Sequence, residues 1–226
     1  MKINELYIEL TRRCNLKCAH CFYGDAQDID MSQETLEQII QTFSNIEWLV
    51  AGGGEPFLKL NGVKLLIQNV LSNKITVNNF FIATNGCCDN IDNDEIIDLL
   101  LHLQNCSNMN FYLKLSNTIY HREAKSALEE TLYQSFKSKL NKYGIKYIEM
   151  EEDTEFINEG KAKENGIKPL SEYQGNFDDP NEMAACGIRD KIFKITCEGN
   201  VIAGCGHSYE NAKNFVIATL DTYATM

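Results

Sequence analysis

Short apolar runs and helix-period segments alternate along the first two-thirds of the chain, and this alternation leaves few folds open. Residues 4–10 read as a strand. Ser32 caps a helix with an apolar face of Leu36, Ile39, Ile40 and Phe43, spaced by three and four residues. Residues 46–50 form a second strand, and Val63, Leu66, Ile67 and Val70 the next helical face. Residues 79–84 form a third strand. Asp92 or Asn93 caps a helix carrying Ile96, Ile97, Leu100 and Leu101, with Asp94 and Glu95 in its positive first turn. Residues 110–115 are a fourth strand, 123–142 a fourth helix stopped at Gly144, and 145–150 a fifth strand. Residues 155–157 make a short sixth. The order implies right-handed βαβ units and a largely parallel sheet, hence an α/β fold.

In such sheets, sites are built just beyond the strand ends. Cys14, the glycines at 52–54, Asn85 and Ser116 all fall there. Composition narrows the chemistry. Among 226 residues there are nine cysteines, an odd count that argues against a fully paired disulfide set. The first residues, MKINELYIEL, lack the apolar stretch of a signal peptide, and no apolar run reaches the roughly 18 residues a membrane span needs. A cytoplasmic location follows as the expectation, with cysteines kept as thiols, metal ligands or reactive groups. The formal net charge of −11 argues against nucleic acid and anionic membranes as partners.

Cys14, Cys18 and Cys21 are spaced C-x3-C-x2-C within RRCNLKCAHCFYGD. Structural zinc takes four ligands, usually as two separated pairs. His20 as a fourth ligand would be cramped beside Cys21. Three thiolates on a four-iron cube leave one iron without a protein ligand, a place for substrate or cofactor to coordinate.

These residues, with Gly53-Gly54-Glu55-Pro56 at the second strand end and Thr84-Asn85-Gly86 at the third, resemble the signature of the radical S-adenosylmethionine (SAM) enzymes. Ser116 matches the family's polar residue near the SAM ribose, and Gly160-Lys161-Ala162 resembles its Gly-Arg-Ala. The resemblance covers about residues 4–165. It implies a partial (β/α)5–6 TIM-type barrel over residues 1–165, a [4Fe–4S] cluster on Cys14, Cys18 and Cys21, and SAM chelated to the open iron. Gly53, Gly54 and Glu55 would hold the SAM amino group, with Pro56, Thr84, Asn85 and Ser116 completing the cofactor site. Reductive cleavage of SAM would give a 5′-deoxyadenosyl radical that abstracts hydrogen from a substrate. An electron donor such as flavodoxin or ferredoxin is implied. The residue before Cys21, often aromatic in the family, is His20, which is also common in its CNLxCxHC branch, and no GxIxGxxE pattern marks the fifth strand.

Residues 166–226 read as a connection and a small extension. Cys186, Cys197 and Cys205 frame a strand pair hinged on Glu198-Gly199-Asn200. The frame C-x12-G-x5-C resembles the start of the SPASM and twitch extensions, without their further cysteine pairs, and makes the three thiols candidate ligands of one auxiliary cluster. The fourth ligand would be His207 or a core cysteine, or absent, and the alternative is a set of leftover thiols. The extension favours a peptide or protein substrate over a small molecule. The alternatives are a glycyl-radical-enzyme activase and a non-catalytic iron–sulfur protein, the latter with no use for the glycine motif. Elsewhere, Cys87, Cys88 and Cys106 read as packing residues, His102 as structural, and His121 as either a loop histidine or a contact at the barrel mouth. One carboxylate of the run 149–155 can meet a cationic group, and Arg12 and Arg13 offset cluster charge.

Overall fold

The computed structural model describes residues 2–89, 91, 93–151, 159–167 and 187–223. Five βα-type strands run in order: β1 (Ile3–Thr11), β2 (Asn45–Gly53), β3 (Thr76–Thr84), β4 (Asn110–Ser116) and β5 (Ile148–Met150). Between them lie α1 (Gln33–Thr42), α2 (Leu60–Leu71), α3 (Asp94–Gln104), α4 (Ile119–Ala124) and α5 (Ala127–Tyr143). All neighbouring pairs from β1 to β5 are parallel. The sequence caps work as expected. Ser32 accepts from the Thr35 N–H and Asn93 from the Ile96 N–H. Gly144 ends α5 at φ +68°, in the left-handed region glycine favours.

The fourth helix differs from expectation. It is two helices broken at Lys125-Ser126, because Ser126 and Glu129 form a reciprocal capping box that starts α5 afresh. β5 is shorter than read, since Ile145 packs into the core against the end of α5 instead of joining the sheet. The expected short strand at 155–157 lies outside the described residues.

The chain then returns through α6 (Gly160–Glu164) to β6 (Ile192–Ile195), β7 (Asn200–Ala203) and β8 (Val216–Thr219), with a short α7 (Tyr209–Ala212) between the last two. β6 pairs parallel to the free side of β1, while β7 and β8 follow antiparallel. The order is β5-β4-β3-β2-β1-β6-β7-β8, an open sheet that forms a partial TIM-type barrel. Successive side chains of a strand face opposite sides. On β1, Leu6, Ile8 and Leu10 join the core under the helices, whereas Tyr7 faces the other side and lines a cavity.

Candidate functional site

That cavity, of about 710 Å³, gathers the ends of β1 to β4. Its wall contains Cys14, Cys18, Cys21, Gly53, Gly54, Glu55, Thr84, Asn85 and Ser116. Pro56 is buried at the start of a 3-10 turn and is not part of the wall.

The three motifs are tied to each other by hydrogen bonds. The glycine turn docks on the segment that opens the cysteine loop. The Gly54 N–H donates to the Thr11 carbonyl at 2.7 Å and the Glu55 N–H to the Arg13 carbonyl at 2.8 Å. A Cβ on Gly53 would collide with the Thr11 carbonyl, and one on Gly54 with the Arg13 carbonyl. Gly53 also sits at φ +132°, a conformation other residues resist. The glycines therefore serve first to let two stretches of backbone touch.

Glu55 ties β2 to β3. Its carboxylate accepts from the Thr84 hydroxyl at 2.8 Å, the Asn85 N–H at 2.7 Å and the Phe57 N–H at 3.1 Å. Burial pushes this carboxyl up to about 7, although these donors favour its ionised form. Asn85 ties β3 to the cysteine loop. Its Nδ2 donates to Asn15 Oδ1 at 2.9 Å and points at Cys14 Sγ, 3.8 Å away. Asn15 in turn donates to the Cys87 carbonyl. Cys87 and Cys88 are buried packing residues.

The loop is also held from the far end of the barrel. Gly160, at φ +51°, packs against the Phe22 carbonyl, and the Lys161 N–H donates to the Cys21 carbonyl at 2.9 Å. The Lys161 ammonium pairs with Asp25 and Glu164. Arg13 grips Asp30 with two nitrogens, both at 2.8 Å. His20 stacks on Tyr120 and meets His121 edge-on, with centroids 4.8 Å apart in both pairs. Burial holds His121 down to about 3, so it faces the cavity as a neutral imidazole.

The donor set fits an iron–sulfur cluster. Burial, with Glu55 adding to it, pushes the Cys14 thiol up to about 12, and burial raises Cys21 too. Iron supplies the positive charge that converts such thiols into thiolate ligands. Among the described residues no three ligating side chains converge closely enough for a single ion. Three thiols around one cavity instead match the one-thiolate-per-iron pattern of a cube.

The two described C-terminal cysteines bond different residues of β1. Cys205 lies in the cavity wall and donates to Glu5 Oε1 at 3.3 Å, while Cys197 is buried and donates to the Glu9 carbonyl at 3.1 Å. Cys186 lies outside the described residues. The acidic run contributes Glu149, held by Tyr133, Lys137 and Asn117.

Pattern reading missed a buried charge network. Glu9 and Lys194 are both fully buried and pair at 2.6 Å. Arg12 bonds Glu9 at 2.7 Å and Glu198 at 2.9 Å. The Lys194 ammonium lies over the Tyr23 ring at 4.6 Å, with Tyr7 and Tyr209 at 5.6 and 5.7 Å. The signal was present: in NELYIEL, Glu5, Tyr7 and Glu9 alternate with Leu6, Ile8 and Leu10, marking one polar face on a strand buried on both sides.

The chain is similar to known proteins in both sequence and fold. The chain is 27% identical over 204 residues to a GTP 3′,8-cyclase from Synechocystis sp., covering 85% of this chain and 59% of that protein. It is 25% identical over 213 residues to a GTP 3′,8-cyclase from Campylobacter jejuni subsp. doylei, covering 86% and 63%. The chain thus spans about three-fifths of the length of these curated relatives. Two solved structures share the fold. One is native anSMEcpe with bound AdoMet (SAM) and the Cp18Cys peptide, with TM-score 0.61, 14% identity, 99% of this chain and 80% of that one. The other is Streptococcus suis SuiB bound to the precursor peptide SuiA, with TM-score 0.54, 16% identity, 97% and 64%. The model of the Radical SAM superfamily matches residues 8–150, which hold all three motifs and run from within β1 to the end of β5. The chain belongs to the Radical SAM superfamily, a family of enzymes that work with a [4Fe–4S] cluster and SAM.

Proposed function

We propose that this enzyme binds its cluster and SAM across the cysteine loop and glycine turn, and abstracts hydrogen from a peptide or protein segment. The observation that carries the reading is the hydrogen-bonded convergence of Cys14, Glu55, Thr84 and Asn85 on one cavity. A [4Fe–4S] cluster and SAM, when bound, supply one-electron cleavage of the sulfonium to methionine and a 5′-deoxyadenosyl radical that takes hydrogen from substrate. Cys14, Cys18 and Cys21 would each hold one iron of the cluster. Glu55 fixes the turn through its three donors, which leaves the backbone of Gly53 and Gly54 to receive the SAM amino group. Ser116, at the end of β4 in the cavity wall, would meet the ribose. Thr84 and Asn85 keep turn and loop in register, and the cavity walls keep bulk water from a reactive radical. A flavodoxin or ferredoxin supplies the electron.

The peptide reading is supported by the fold shared with two enzymes solved with peptides bound. A second reading, a nucleotide substrate, is favoured by the higher sequence identity to the GTP 3′,8-cyclases, 27% and 25% against 14% and 16%. The test is anaerobic reconstitution, reduction with dithionite and chromatography for 5′-deoxyadenosine. The wild type forms it, and a Cys14→Ala/Cys18→Ala/Cys21→Ala variant does not. A cluster-loaded wild type that leaves SAM intact overturns the reading. Stimulation of the product by peptide or by GTP decides between the two substrates.

A further inference from the structure

We infer that the Tyr7 phenol presets the glycine turn for SAM, fixing the Gly52–Gly53 peptide plane that leads into it before the ligand arrives. The inference rests on the reading that this turn receives SAM.

Three consecutive N–H groups of the turn are anchored on one side. Gly53 donates to the Tyr7 hydroxyl oxygen at 2.6 Å, Gly54 to the Thr11 carbonyl and Glu55 to the Arg13 carbonyl. In a trans peptide the C=O points opposite to the N–H. Anchoring the Gly54 and Glu55 N–H groups on the β1 side therefore turns the carbonyls of Gly53 and Gly54 away from it. Two such acceptors suit a ligand ammonium. Of the three anchors, only Tyr7 is a side chain, so it is the only one a substitution can delete.

Tyr7 also floors the turn. A Cβ on Gly52 would run into the Tyr7 ring and hydroxyl, so the ring fills the space directly beneath that residue. Tyr7 lines the cavity, and its ring lies 6.4 Å from that of Tyr23, two residues past Cys21. It thus stands between the cysteine loop and the glycine turn without belonging to either motif. Replacing the hydroxyl by hydrogen keeps the floor but leaves the Gly53 N–H without its acceptor, and an unsatisfied buried donor is costly.

The experiment compares wild type with Tyr7→Phe. Iron and sulfide content measure the cluster. Equilibrium dialysis of radiolabelled SAM against the anaerobic, cluster-loaded proteins measures affinity. Hydrogen exchange across residues 52–55 measures the turn without SAM. The expected result is unchanged iron, SAM binding weakened about tenfold, and faster exchange confined to the turn. Equal SAM affinity in the two proteins overturns the inference. Loss of the cluster together with SAM binding also overturns it, since that reports a general scaffold role. A wild type that holds its cluster and binds no SAM defeats the reading of the site instead. Exchange at the turn then still decides whether Tyr7 holds it, and unchanged exchange overturns that claim as well.

Discussion

Glu55 shows what a residue's surroundings add to a motif. The sequence places a carboxylate at the end of β2 and implies that its charge serves an ammonium group. The structure surrounds it with the Thr84 hydroxyl and the N–H groups of Asn85 and Phe57, so its main task is to join two strand ends. That task was not legible, because it depends on Thr84 arriving from 29 positions away. Glu55→Gln replaces one acceptor oxygen by a donor facing a donor, and the expected cost is about 1–3 kcal/mol, read by denaturant unfolding. The pH dependence has a definite sign. A carboxyl raised by burial to about 7 favours the folded state below its unfolded value, roughly 4.3, and loses that contribution as pH rises through about 7. The stability gap between wild type and Glu55→Gln should therefore shift toward the variant between those limits. A pH-independent gap would place the titration elsewhere.

At the scale of elements, period and capping carried most of the fold. The strands β1 to β4 and the starts of α1 and α3 follow from apolar spacing and from Ser32 and Asn93. The break between α4 and α5 was also written in the chain, as Ser126 three residues before Glu129, the spacing of a capping box. Gly160-Lys161-Ala162 was visible as a motif, whereas its use was not. α6 docks beneath the cysteine loop, with the Lys161 N–H on the Cys21 carbonyl and Asn165 Nδ2 on the Ala19 carbonyl, both at 2.9 Å. The positive φ of Gly160 and its contact with the Phe22 carbonyl leave no room for a methyl group. Gly160→Ala should lift α6 from the loop and lower reconstituted iron several-fold while far-ultraviolet circular dichroism stays unchanged. Wild-type iron content in that variant would show that the loop holds its shape without α6.

For the whole molecule, the decisive contact is the one between first and later strands. A hairpin around Gly199 was readable from its turn, yet nothing local says that β6 lies beside β1, because that pairing joins residues about 190 positions apart. Physics marks the seam through Glu9 and Lys194, one on each strand and neither touching solvent. Burial alone would lift the Glu9 carboxyl, but Lys194 and Arg12 outweigh it and hold it below the usual carboxylate range. Removing one partner of such a pair strands the other charge, at about 3–5 kcal/mol, while removing both is far milder. Lys194→Met should destabilise the fold by an amount near the lower end, since Arg12 still faces Glu9. The double variant Glu9→Gln/Lys194→Met should recover more than half of that loss in denaturant unfolding. Additive effects would mean that the two charges do not share one buried site, and that β6 is held to β1 by its apolar side chains and backbone ladder alone. Recovery would instead show that the strand pair closing the cavity beside Tyr7 and Tyr209 is matched by charge, a constraint that the hydrophobic pattern of the chain does not contain.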